Sequence, residues 1–147
     1  MKQKRGLARL SRHLPKNPHK RLLVTSLTLG MMVALEEFVA IDHDAEYKIF
    51  QQRIDRIKAA VDKVSGITTT VNHPVLGNVT PTLNIAWDKS VIKKDGNEMR
   101  ARLRAGQPSI EVVGGKDNLS VTAWSLQEGE DKIVALKLKE LLEWASA

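Results

Sequence analysis

The chain has 147 residues, of which 42% are hydrophobic, and it contains no cysteine. This length and composition predict one domain with its own core, and they exclude disulfides, thiolate metal sites and cysteine nucleophiles. The net charge of +6 arises in residues 1–21, which hold eight Lys or Arg and no acid, so the remaining 126 residues carry 15 bases and 17 acids. A mildly acidic body of this kind is not expected to bind nucleic acid specifically.

The first segment, residues 1–21, is predicted to be a basic, disordered arm, because it contains Pro15 and Pro18 and almost no apolar periodicity. The apolar run that follows, residues 22–35, has 14 residues, fewer than the ~20 that a membrane span needs. We interpret this run as part of a buried helix rather than a secretory signal, and we expect no membrane association and a cytoplasmic location.

A long helix is predicted over residues 30–64, which contain no proline and no interior glycine. Its second half has apolar residues at helical spacing, namely Tyr47, Phe50, Ile54, Ile57, Val61 and Val64. The alternative is a local break near Ile41. Because an unbroken helix of this length exceeds what a small domain needs, part of it is expected to reach toward another surface.

After Gly66, the pattern predicts four strands and two further helices. The strands are expected at residues 67–73, 80–87, 109–113 and 118–124, with a glycine-bearing hairpin loop at 114–117. Asp95 and Glu98 resemble a capping box before a short helix, and Ser125 and Glu128 a second one before the C-terminal helix. That last helix is expected to bury Val134, Leu138, Leu141 and Ala145.

The predicted fold class is therefore α+β. A long N-terminal helix is followed by β-β-α-β-β-α, arranged as a two-layer sandwich with a four-stranded, mostly antiparallel sheet and helices on one face. Residues 22–147 are expected to form a single domain.

The sequence offers no catalytic constellation. His43 and Glu46 lie three residues apart beside Asp42 and Asp44, but successive helical residues diverge by about 100°, so this cluster predicts an acidic helix surface rather than a metal site. The other histidines are scattered at positions 13, 19 and 73, and no nucleophile elbow or phosphate-binding loop is present. We assign no catalytic, cofactor-binding or metal-ligating residue.

Three stretches carry a resemblance: MMVALEEFVAIDHDAEYK (31–48), TLNIAWD (82–88) and PSIEVVGGKDNLSVTAWSLQEGEDKIVALKLKELL (108–142). They resemble the C-terminal small domain of the selenocysteine synthase-like pyridoxal-phosphate enzymes of fold-type I. That group includes L-seryl-tRNA(Sec) selenium transferase and relatives described as aminotransferases or D-glucosaminate-6-phosphate ammonia-lyases. The resemblance covers about residues 30–147; residues 1–29 do not share it, and a shifted reading frame or late start could give their composition.

The resemblance implies a truncated or remnant C-terminal domain that is inactive alone. In the family, the Schiff-base lysine, the phosphate loop and the aspartate on the pyridine nitrogen belong to a large domain, which would precede residue 30. Lys116 follows two glycines, as the family's lysine does, but its hairpin position predicts an exposed turn residue. Pyridoxal phosphate would thus belong to the full-length family and not to this chain.

The expected partner is a large-domain chain or a second copy of this chain, bound through residues 22–38. The alternative is a standalone binding module that uses its basic arm, residues 1–21, on RNA or an anionic surface.

Overall fold

The computed structural model describes residues 18–76 and 79–147. The chain forms two compact units, one ending at Asp42 and the other comprising His43–Ala147, which we call the body. In the first unit, helix α1 spans Pro18–Ala40. Of the predicted arm, residues 1–21, the first 17 lie outside the described residues. Its last four residues belong to the first turn of α1.

The predicted long helix is broken near Ile41, as the alternative had it. Helix α1 ends at Ala40, and helix α2 spans His43–Val61 with Asp44 and Glu46 in its first turn, where their charge favours the positive end of the helix dipole. Helix α2 ends three residues before the predicted limit, and the Val64 amide donates to the Val61 carbonyl at 3.0 Å.

Four strands form one antiparallel sheet in the order β1-β2-β4-β3. The strands span Ile67–Asn72 (β1), Thr82–Trp87 (β2), Val113–Gly114 (β3) and Asn118–Thr122 (β4). Strand β1 pairs with β2 through Thr69 and Ile85, and β2 pairs with β4 through Ile85 and Leu119. The sheet therefore has the predicted antiparallel architecture.

The third predicted strand, residues 109–113, is shorter than expected. The Ile110 amide donates to the Leu103 carbonyl at 3.1 Å and the Ser109 hydroxyl to the Arg104 carbonyl at 2.7 Å, so this segment is bound to the end of a helix before it reaches the sheet. The alternating pattern of SIEVV still buries Ile110 and Val112.

Two further helices complete the body. Helix α3 spans Gly96–Arg104, and its N-cap Asp95 accepts a hydrogen bond from the Asn97 amide. Helix α4 spans Glu130–Ser146. The capping box predicted at Ser125 and Glu128 is wrong, because the N-cap is Gly129, with φ +86°, and the Glu130 carboxylate instead accepts from the Gln127 amide at 2.8 Å.

The core lies between the helices and one face of the sheet. The predicted inner faces of α2 and α4 are confirmed, with Ile54, Ile57 and Leu138 fully buried, although Tyr47 and Phe50 are only half-buried. The core residues from the other parts of the body include Leu83, Ile85, Ile92, Met99, Leu119 and Val121. The body is thus the predicted two-layer α+β sandwich.

Candidate functional site

The ionisable groups of the described residues are dispersed. His43 Nδ1 lies 3.7 Å from the Glu46 carboxylate within the first turn of α2, and His73 Nδ1 lies 2.7 Å from the Tyr47 hydroxyl. Across residues 18–76 and 79–147, no three His, Cys, Asp or Glu side chains come together in a group that could hold a metal ion. The contact between His43 and Glu46 therefore lies within one turn of a single helix.

Lys116 lies in the loop between β3 and β4 with its side chain exposed. The loop backbone is bound to α3: the Gly96 amide donates to the Lys116 carbonyl at 2.7 Å, and Arg100 donates to the Gly115 carbonyl at 2.9 Å. A Cβ atom at Gly96 would collide with the Gly115 carbonyl, so this close approach requires glycine. These contacts hold the loop against α3 and leave the Lys116 ammonium in solvent.

A buried ion pair joins α2 to the start of α4. Asp131 is 1% exposed and accepts a hydrogen bond from the Arg56 guanidinium, whose side chain is 49% exposed. One turn earlier on α2, Arg53 donates to the carbonyls of Leu126 and Ala123 at 2.5 and 3.4 Å. Arg56 therefore binds the first turn of α4, and Arg53 binds the segment that leads into it.

An open groove of about 700 Å³ lies beside this pair, between α2 and the N-terminus of α4. Its cationic lining includes Arg53, Arg56 and Lys132, but the two guanidiniums are already bound to protein acceptors. We therefore assign the arginines a structural role.

The burial of Asp131 was not predicted from the sequence. The signal was present, because Asp131, Val134 and Leu138 are spaced by three and four residues and thus share the buried face of α4.

Helix α1 carries an exposed apolar surface from residue 25 onward, so the expectation that the apolar run forms part of a buried helix is not met within this chain. The exposed large apolar side chains described for α1 are Leu27, Leu29, Met31, Met32, Val33, Leu35, Phe38 and Val39. They lie on several sides of the helix, a pattern typical of helices that are buried in a larger assembly. Within the described residues, no helix has the length and apolarity needed to cross a membrane.

The sheet face opposite the core carries no charge on its three longer strands. Its residues alternate with the buried ones and are Thr68, Thr70, Asn72, Thr82, Asn84, Ala86, Asn118, Ser120 and Thr122. The Ser120 hydroxyl donates to the Asn84 side-chain oxygen at 2.6 Å across the two central strands. Charged residues normally make up about a quarter to a third of a protein surface, so this open face is a second candidate interface.

Comparison with known proteins identifies a similar fold in a solved structure but no related sequence. No family model matches the chain, and no curated protein matches its sequence. The solved structure of D-glucosaminate-6-phosphate ammonia-lyase matches with a TM-score of 0.53 and 18% sequence identity, over 62% of this chain and 26% of that enzyme's chain. The matched region thus spans about a quarter of the enzyme's length, and the similarity shows a fold shared with part of that enzyme.

Proposed function

We propose that this chain is a remnant small domain of a pyridoxal-phosphate-dependent enzyme, of the transferase, aminotransferase or lyase type, and that it is catalytically silent without a cofactor-binding large domain. The observation that carries the proposal is the fold shared with about a quarter of D-glucosaminate-6-phosphate ammonia-lyase. The remaining three quarters of that enzyme have no counterpart in the match, and we place the cofactor site in the equivalent region of a partner chain.

Two surfaces support a role in assembly. We expect a large domain or a second copy to bind through residues 22–38, and the described part of this segment, from Leu27 to Phe38, has exposed apolar side chains. The open face of the sheet has short, neutral side chains, so covering it would not remove an ion from water. Both features suit a domain that works against another protein surface.

The purified chain should therefore form no internal aldimine with pyridoxal phosphate. A Schiff-base lysine reacts as the neutral amine and is normally activated by burial or by a neighbouring cation, whereas Lys116 is exposed. The measurement is the absorbance of the mixture in the Schiff-base region, before and after borohydride reduction, followed by mass spectrometry of the peptides.

Lys116→Ala is the informative variant, and Lys89→Ala, which removes another exposed lysine of the body, is its control. We expect only weak, non-selective labelling that neither substitution changes. A stoichiometric adduct that Lys116→Ala abolishes and Lys89→Ala leaves intact would show that Lys116 binds the cofactor. It would overturn the proposal that the chain is inactive alone.

A further inference from the structure

Strand β1 forms one edge of the sheet in the body. The strand order is β1-β2-β4-β3, so β1 pairs with β2 on one side, and no strand in the described part of the body pairs with its other side. The opposite edge of the sheet differs, because β3 has only two residues and the segment before it is bound to the end of α3. The six residues Ile67–Asn72 are therefore the long edge of this sheet.

The hydrogen bonds of the ladder show which backbone groups lie on this outer edge. The Asp88 amide donates to the Gly66 carbonyl at 2.9 Å, and these two residues continue the register of β1 and β2. Because bonded pairs alternate along an antiparallel ladder, the even-numbered residues of β1 bond to β2. The amides and carbonyls of the odd-numbered residues, Ile67, Thr69 and Val71, consequently point to the outer edge.

The composition of β1 does not protect this edge. Edge strands of monomeric proteins usually carry a feature that prevents pairing with another chain, such as a proline, a lysine or a bulge. The sequence ITTTVN has no proline and no charged residue, and its six residues keep one continuous register with β2, which leaves no bulge. All of its residues except the terminal asparagine are β-branched and favour extended backbone.

The hydrophobic core is incompletely covered at the same edge. Ile67 and Val71 pack against the core but are only half-buried, whereas Leu83 and Ile85 of the neighbouring β2 are fully buried. A further strand beside β1 would cover the exposed parts of the two side chains. Removing this apolar surface from water favours association.

We propose that two copies of this chain pair through their β1 edges in antiparallel orientation, so that the two four-stranded sheets become one continuous sheet. With Thr69 of each copy at the two-fold axis, Ile67 of one copy lies opposite Val71 of the other. Each of the three outward-facing residues then lies opposite another outward-facing residue, and backbone donors meet acceptors along the whole strand. The edge is complementary to itself, and its partner is a second copy.

The charges near the axis are compatible with this register. The Thr69 hydroxyl donates to the Asp62 carboxylate at 2.5 Å, and Asp62 also accepts from Lys58. Each copy thus brings an ion pair toward the axis and not an unpaired carboxylate. On the open face of the sheet, Thr68 of one copy lies opposite Thr70 of the other, so the strands force no like charges together.

The test is sedimentation equilibrium of the full-length chain over a range of protein concentrations. Thr68→Lys combined with Thr70→Lys sets like charges opposite each other twice in each dimer and should raise the dimer dissociation constant at least about tenfold. Thr68→Glu with Thr70→Glu should do the same, although it lowers the net charge of +6. Thr68→Lys with Thr70→Glu is the matched control. It sets opposite charges against each other, and its constant should stay within about threefold of the parent.

A backbone variant tests the hydrogen bonds directly. Thr69→Pro removes the outward-pointing amide at the axis, and an edge strand tolerates proline where the N–H points away from the sheet. It should raise the dissociation constant at least about tenfold while the near-UV circular dichroism stays that of the parent. Thr69→Val keeps the amide and loses only the hydroxyl bond to Asp62, so its constant should stay within about threefold of the parent. The charge variants do not depend on the folding of Thr69→Pro.

A parent that stays monomeric at every concentration would overturn the inference. So would equal effects of the like-charged and opposite-charged variants, or a folded Thr69→Pro that dimerises with parental affinity. A dimer that Leu35→Glu with Phe38→Glu abolishes and the β1 variants leave intact would place the contact on α1 and also contradict it. In each case the proposed small-domain role would stand, because it is tested separately by the location of the cofactor lysine.

Discussion

At the scale of single residues, replacing Arg56 is expected to cost more unfolding free energy than replacing its partner Asp131. Arg56 is about half exposed and can be rehydrated when its partner is lost, whereas Asp131 is 1% exposed and cannot. Arg56→Met should therefore cost about 3–5 kcal/mol of unfolding free energy by leaving a buried carboxylate unpaired, and Asp131→Asn only about 1–2 kcal/mol.

Urea denaturation followed by tryptophan fluorescence measures both changes. Lys132→Ala, beside Asp131 on α4, is the control and should stay within about 0.5 kcal/mol of the parent. Equal losses for the two ion-pair variants would show that Asp131 gains water or another partner when Arg56 is removed.

Asp62 should contribute to a loss of stability in acid. Burial opposes its ionisation, but hydrogen bonds from Lys58 and Thr69 outweigh that effect and lower the pKa of Asp62 below its ordinary value of 3.8. A carboxylate with a lowered folded-state pKa stabilises the protein above its unfolded pKa, and this contribution is lost as the pH falls through the folded pKa.

The unfolding free energy of the parent should therefore decline more steeply than that of Asp62→Asn as the pH is lowered below 3.8. Thr69→Val, which removes one of the two donors, should lie between them. Identical pH profiles for the parent and Asp62→Asn would contradict the role given to these hydrogen bonds.

At the scale of elements, the sequence correctly predicts the helices and strands whose hydrophobic periodicity arises because one face is buried in the core. The alternation in β2 places Leu83, Ile85 and Trp87 in the core, as expected from a period of two. The segment 109–113 has similar alternation but bonds to the end of α3 through Ile110, a tertiary contact that no local pattern reveals. Likewise, α4 begins after Gly129, which has a positive φ, and not at the capping box predicted for Ser125 and Glu128.

The candidate sites likewise include features that the sequence predicts and features that only the fold reveals. The apolar character of α1 is predictable from composition, but its exposure is not, because the same apolar run also indicates a buried helix. The ion pair between Arg56 and Asp131 joins residues 75 positions apart, so its partners could not be matched before the fold was known.

The apolar residues of α1 should contribute little to the stability of the body. Leu35 and Phe38 are 63% and 58% exposed, so Leu35→Glu with Phe38→Glu should change the unfolding free energy by less than about 1 kcal/mol. Ile57→Glu places a charge at a position with 0% exposure and should cost more than about 4 kcal/mol. Thermal and urea melts distinguish them, and collapse of the α1 double variant would place that helix in the core of the body.

At the scale of the whole molecule, the body is a small α+β sandwich whose helices cover one face of the sheet, and 62% of the chain shares its fold with about a quarter of D-glucosaminate-6-phosphate ammonia-lyase. The described residues contain surfaces suited to contact, on α1 and on the open face of the sheet, and an exposed Lys116. We therefore propose a domain whose activity depends on the protein that it contacts.

The most direct measurement is the location of the cofactor lysine in the native assembly. The tagged chain would be isolated from the cells that express it, reduced with borohydride, and analysed by mass spectrometry for phosphopyridoxyl-lysine. The proposed function predicts this adduct on a co-isolated chain and none on Lys116, with the co-isolated chain lost when Leu35 and Phe38 are both changed to Glu. An adduct on Lys116, or an isolated assembly in which no chain carries the reduced cofactor, would contradict it.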